Sequence, residues 1–223
     1  ISLGHGGTIA IDFNSVRIAP AGLACPNTAF ELGTQTGPVV QVRNNIFANF
    51  SGAQTGAARH YAMVVPGSGV IGPSGTVSNY ILLHIGNATN GYPGRAGGVD
   101  RATIGDWQAA TAGDAGSRSE NPEFASSSNL HLSTVMPTPA ESQGSMYAGA
   151  ISWVADDVDG QPRSMSKPDV GADEGPFVRL PWLDLTAQSV DLPPPGGTIA
   201  AGVPFTPRAT FRNLGGAPLA AVP

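Results

Sequence analysis

Cysteine is almost missing from this chain. Cys25 stands alone, which excludes an internal disulfide and any cysteine-rich zinc site. Set in the turn-like LACPN, it is expected to be a small buried or half-buried residue and not a nucleophile. Charge is scarce as well: Asp, Glu, Lys and Arg make up 12% of 223 residues, and the formal net charge is −5. With no basic stripe, a nucleic-acid backbone is not an expected partner. Long apolar runs are lacking too, none approaching the ~20 residues that a membrane-spanning helix needs, so no membrane span is expected. Helical periodicity is the fourth lack. Its nearest approach is TIGDWQAATAGDAGS (103–117), where Thr103 or Asp106 is placed to cap one short helix.

What the chain does have is turns: 30 Gly and 20 Pro, spread between short apolar runs in a sequence that is 41% hydrophobic. Short strands separated by frequent turns produce that distribution, so the expected class is all-β. TIAIDFNSVRI (8–18) alternates Ile9, Ile11, Phe13 and then shifts phase to Val16 and Ile18. A phase shift turns the buried face over, which predicts two short strands meeting at a corner. The figure returns: NSVRI (14–18), NNIFA (44–48) and NYILL (79–83) each follow a strand-like run, 30 and 35 residues apart. Such a period built from strands predicts a solenoid. Asn14, Asn44 and Asn79 are then expected to stack inward at one corner, each amide bonding the next, with a one-residue slip open at Asn44/Asn45. The chain opens mid-pattern on ISLGHGG and is expected to be an internal piece of a longer polypeptide.

After the repeats come DWQAATAGDAGSRSENPEF (106–124), NLHL (129–132), PTPAESQGS (137–145) and DDVDGQPR…KPDVGADE (156–174). In this order the blocks resemble the C-terminal end of secreted bacterial right-handed parallel β-helix proteins of the pectate-lyase-like kind, over residues 8–175. Where those proteins usually read Ser-Pro-Ala-Ile-Asp, this chain has Glu141 and Ser142 after Ala140, so the usual acidic position is displaced. The resemblance implies final coils and an irregular cap over residues 1–175 and a secreted or cell-surface location. The family spans polysaccharide lyases, glycoside hydrolases and adhesins, so a polysaccharide or cell-surface glycan is the implied partner. Residues 176–181 read as a linker. ATFRNLGGA within 182–223 resembles the middle strand of an immunoglobulin-like adhesion-type module, here incomplete. Its open strand edges make self-assembly through the tail a further expectation.

The acidic stretch at 156–174 admits three readings. Asp156, Asp157 and Asp159 around Gly160 offer oxygens for calcium, although the helix-loop-helix spacing is missing. Asp157 and Asp159 also sit close enough for a carboxylate pair, but on a glycine turn with no adjacent sugar-stacking aromatic. In the third reading Arg163 binds carboxylates such as Asp169 and Asp173 and ties the irregular segment to the last coil. The staple is the reading adopted, with calcium kept as the candidate cofactor. His5, His60, His84 and His131 lack paired spacing, and His131 is expected to face outward. Arg17 and Arg43 are read as surface residues, and Trp107, Trp153 and Trp182 as packing residues. The expected function is a non-catalytic scaffold or adhesion fragment. The alternative is part of a polysaccharide lyase or glycoside hydrolase with its catalytic coils upstream.

Overall fold

The computed structural model describes residues 8–19, 25–33, 39–51, 58–65, 77–86, 89–146, 154–180, 185–192, 197–198 and 206–213. His5, Trp153 and Trp182 lie outside them. The chain divides into two compact units, Ile1–Arg179 and Leu180–Pro223.

The first unit is mostly β. The phase shift at residues 8–18 is a corner between β1 (Thr8–Asp12) and β2 (Ser15–Ile18), followed by β3 (Asn27–Glu31). The chain repeats the course with β4 (Val39–Arg43), β5 (Ile46–Asn49) and β6 (His60–Val65), and again with β7 (Val77–Asn79), β8 (Leu82–Ile85) and β9 (Gly91–Ala96). Each pass lays one strand in each of three sheets, β1-β4-β7, β2-β5-β8 and β3-β6-β9, and all these pairings are parallel. β10 (Val99–Arg101) adds to β9 antiparallel.

Register explains the cores. Ile9 lies beside Val40 and Ile11 beside Val42, while Val16, Phe47 and Leu83 form a row across the second sheet. These residues meet Met63, Val65, Ala96 and Trp107 in one core, with the Phe30 and Phe47 rings stacked at 4.5 Å. Alternate residues of the second sheet, Ile46, Ala48 and Leu82, build a second core with Leu132, Ala140 and Val170, flanked by Phe50, Phe124 and Phe177. That sheet is covered on both faces, so β5 is buried along its whole length, with three consecutive apolar residues before the buried Asn49. Residues 120–146 and 154–179 therefore cover the flank of the stack. They do not simply close its last turn.

Beyond β10, the helix α1 (Ile104–Thr111) has Thr103 as its N-cap and Asp106 completing a capping box. Residues 114–118 then run on beside β7 and β8: Asp114 N–H donates to Ser78 O, and Leu83 N–H to Arg118 O.

The Asn column differs from the expected one. At the corner itself stand Phe13, Asn44 and Tyr80, all left-handed with φ of 56°, 53° and 56°. The side-chain ladder lies one residue later, and it joins Asn14 to Asn45. Asn45 Oδ1 accepts from Asn14 N–H and Nδ2, both at 2.9 Å, and its own Nδ2 donates to Ile11 O and Arg43 O. In the third pass an isoleucine, Ile81, follows the corner, and its N–H goes to Ser117 Oγ. The Asn44 side chain donates from Nδ2 to Ser145 O and accepts Ser145 N–H at Oδ1, while Asn79 Oδ1 accepts from Gly116 N–H. Asn45→Ala is expected to cost about 1–3 kcal/mol, because it strands Asn14 N–H and two carbonyls in a buried site. Urea unfolding is the check, and a change under about 0.5 kcal/mol, typical of neutral surface positions, would dismiss the ladder as a stabilising element.

Three smaller expectations also change. Cys25 is exposed, because it precedes β3 outside both cores. Arg43 is buried at the end of β4, and since Arg17 lies in β2 the two arginines belong to different sheets. Of the linker residues, Phe177 N–H donates to Glu141 and Val178 O accepts from Thr138 N–H, so 176–179 are part of the first unit.

In the second unit β11 (Leu185–Leu192) pairs antiparallel with β12 (Arg208–Asn213). Asp191 accepts from Ser189 Oγ within β11 and from Thr210 Oγ1 across the pair.

Candidate functional site

Polar chemistry concentrates where 129–145 meet 156–175. DDVDGQPR folds back on itself through a bridge between Asp156 and Pro162, with Asp157 N–H donating to Gln161 O and Gly160 at φ 80°. The Asp157 carboxylate sits inside this turn. Oδ1 accepts from the N–H groups of Asp159 (2.9 Å) and Gln161 (2.7 Å), and Oδ2 from Glu174 N–H (3.1 Å). Burial pushes the Asp157 carboxyl up, but these three N–H groups and nearby Arg163 outweigh it and hold the group below the usual carboxylate value.

The turn aims Arg163 inward, where it is 5% exposed. Its Nη2 donates to Gly171 O (3.2 Å) and Ala172 O (2.8 Å), and its Nη1 to Glu174 Oε2 (3.4 Å). The guanidinium lies 4.2 Å from the centre of the Phe13 ring. Arg163 thus meets Glu174 and backbone carbonyls; Asp169 and Asp173 are engaged elsewhere. Desolvation draws its guanidinium below the ordinary arginine value, opposed by Glu174, Asp157 and Asp169.

Asp169 is buried and accepts from Ser142 N–H (2.6 Å) and Gly175 N–H (3.0 Å). Desolvation, reinforced by Glu141 and Glu174, raises its carboxyl to about 7 against the pull of the two N–H groups. Glu174 accepts from Ser164 N–H and Asp169 N–H, and Glu141 from Phe177 N–H and Ser142 Oγ. An open cleft of about 750 Å³ lies over these groups, lined also by Lys167 and Ser166.

The calcium trio of Asp156, Asp157 and Asp159 does not converge on one point. Asp157 has filled its lone pairs with N–H groups, and Asp156 is exposed on the backbone bridge to Pro162. Asp159 turns away to His131, with Nε2 and Oδ2 2.8 Å apart. Asp173, buried and accepting Leu132 N–H at 2.7 Å, completes a His131–Asp159–Asp173 group whose ligand atoms all lie within 4.8 Å of one another. Burial pushes the Asp173 carboxyl up, and Leu132 N–H and His131 oppose it.

A third buried acid, beside Asp169 and Asp173, carries no signal in the sequence. Asp114 is fully buried under α1, with Oδ1 accepting from Ser78 Oγ (2.9 Å) and Ser117 Oγ (2.6 Å) and Oδ2 from Trp107 Nε1 (2.8 Å). Desolvation raises its carboxyl despite these three donors. Glu141, Glu174 and His131 join the site without a sequence signal of their own, since each has a partner 10 to 36 residues away. The one available signal was the alternation of acids with Gly and Ser, of which Ser142, Ser164 and Gly175 supply N–H groups.

Comparison with known proteins finds no matching family model, no similar curated protein and no similar solved structure.

Proposed function

We propose that this chain is a non-catalytic, secreted or cell-surface scaffold or adhesion fragment. In this reading the three parallel sheets are coils of a right-handed parallel β-helix, and the tail opens an immunoglobulin-like module. The observation that carries the proposal is how the cap uses its acids. Asp157, Asp169, Glu174 and Glu141 each receive backbone N–H groups, an arrangement that holds segments together and leaves little lone-pair capacity for moving a substrate proton. Handedness follows from the near-universal rule for parallel crossovers. The surface is then offered to polysaccharide or cell-surface glycan, and the tail strands to assembly with further copies.

A polysaccharide lyase or glycoside hydrolase is the second reading, favoured by one observation: a carboxyl at about 7 below an open cleft that also carries Lys167. Incubation with uronate-containing and neutral polysaccharides separates the two. The scaffold reading expects retention on a glycan matrix with neither unsaturated products nor new reducing ends. Turnover abolished by Asp169→Asn in a folded protein would replace it with the enzyme.

A further inference from the structure

We propose that His131, Asp159 and Asp173 bind a divalent cation of the zinc class, which clamps three separate segments of the cap. The proposal is independent of the scaffold reading.

The argument begins with the ring of His131. Asn129 Oδ1 accepts the backbone N–H of His131 at 3.1 Å, and a backbone N–H can only donate, so the amide oxygen of Asn129 is fixed in place. The same oxygen faces Nδ1 of the ring, so Nδ1 carries the proton. In the neutral imidazole Nε2 is then a bare lone pair, and it points at Asp159 Oδ2 2.8 Å away. Two lone pairs at that distance repel, so either a second ring proton, as in a His–Asp ion pair, or a metal ion lies between Nε2 and Oδ2. An Nδ1–H held by an oxygen acceptor, with Nε2 left for metal, is also the usual arrangement of a ligating histidine.

Asp173 supplies the second observation. It is 4% exposed, and among the described residues it receives one hydrogen bond, from Leu132 N–H to Oδ2, and no Lys or Arg ion pair. The charge that opposes its desolvation is that of His131, so a metal ion held at Nε2 would take over from a ring proton as the counter-charge of Asp173. The ligand atoms of the three residues lie within 4.8 Å of one another, wider than the ~3.3–3.6 Å between tetrahedral donors set ~2.0–2.2 Å from a common ion, so metal binding must draw the three segments together.

Donor type selects the ion. Calcium takes six to eight oxygens, whereas one imidazole and two carboxylates suit zinc and its neighbours. The His131 and Asp159 side chains are 43% and 46% exposed, which leaves the remaining coordination positions to water or to an oxygen of a bound partner.

Calorimetric titration of zinc chloride into the metal-free, untagged full chain tests this. One saturable equivalent and a raised melting temperature are expected. His131→Ala should weaken binding at least about 100-fold, since even outer-shell changes cost 10–100-fold. Its exposed side chain makes it the safer variant: unchanged melting in chelator shows that the fold survives. Asp159→Asn gives a second reading at another exposed ligand. Absence of saturable zinc binding, equal affinity in His131→Ala, or calcium bound more tightly than zinc would each overturn the proposal.

Discussion

Replacing Arg163 with methionine is expected to destabilise the protein by about 3–5 kcal/mol, the range for breaking a buried ion pair from one side. Arg163 Nη2 serves two carbonyls, Nη1 serves Glu174, and the guanidinium covers Phe13. Methionine keeps most of the volume over Phe13 but leaves Gly171 O, Ala172 O and Glu174 without that donor. Lysine in its place restores the charge without the planar fork and should recover only part of the loss. Pairing Arg163→Met with Glu174→Gln should cost less than the sum of the two, because neither charge is then left uncompensated. Urea unfolding measures all four variants, and a loss below about 1 kcal/mol for Arg163→Met alone, the scale of an exposed pair, would mean that the cap does not depend on this arginine.

The second large effect is expected at the other end of the stack. Trp107→Ala should cost about 3–5 kcal/mol. The indole is fully buried in the main core, and it lies so close to β9 that a Cβ on Gly94 would come within 2.1 Å of its Cε3. Only glycine admits the ring there. Alanine at 107 opens a cavity and also removes the one N–H that binds Asp114 Oδ2. Trp107→Phe separates the two losses: it retains an aromatic ring and should cost about 1–3 kcal/mol, mainly for the unpaired carboxylate. Equal losses for Phe and Ala would assign the whole effect to the hydrogen bond and none to the cavity.

The corner between β1 and β2 was legible because alternation cannot change phase within one flat strand. The Asn repeat was legible in period and Asn14 belongs to the ladder, but Asn45 takes the place expected of Asn44, and Ile81, two residues beyond Asn79, occupies the third pass. Two kinds of demand stand side by side there: position 44 asks for a residue that tolerates a left-handed backbone, and position 45 for an amide that bonds along the stack. Asparagine answers both, whereas Phe13 and Tyr80 at the same corner hide the backbone demand. Thr103 and Asp106 were readable as caps because capping is local. In the cap the need of Arg163 for carboxylate was visible, but its choice of Glu174 was not, and neither was the meeting of His131 with Asp159. Such contacts depend on how a turn is placed, and no periodicity records that.

Strands stacked pass upon pass, each touching only its neighbours, form nearly a one-dimensional array, and an array of that kind frays from its ends. The cap changes the connectivity. Ala172 N–H reaches Ser15 Oγ in the first pass, Gly171 N–H reaches Asn44 O in the second, and Leu132 and Val170 share a core with Leu82 of the third. The first of these closes a separation of 157 residues, and the ordering entropy of such a closure grows only slowly with length. One late docking event thus couples all three passes. Detaching the outermost pass then means releasing the cap from the other two, so the edge of the array loses the independence that would let it melt first.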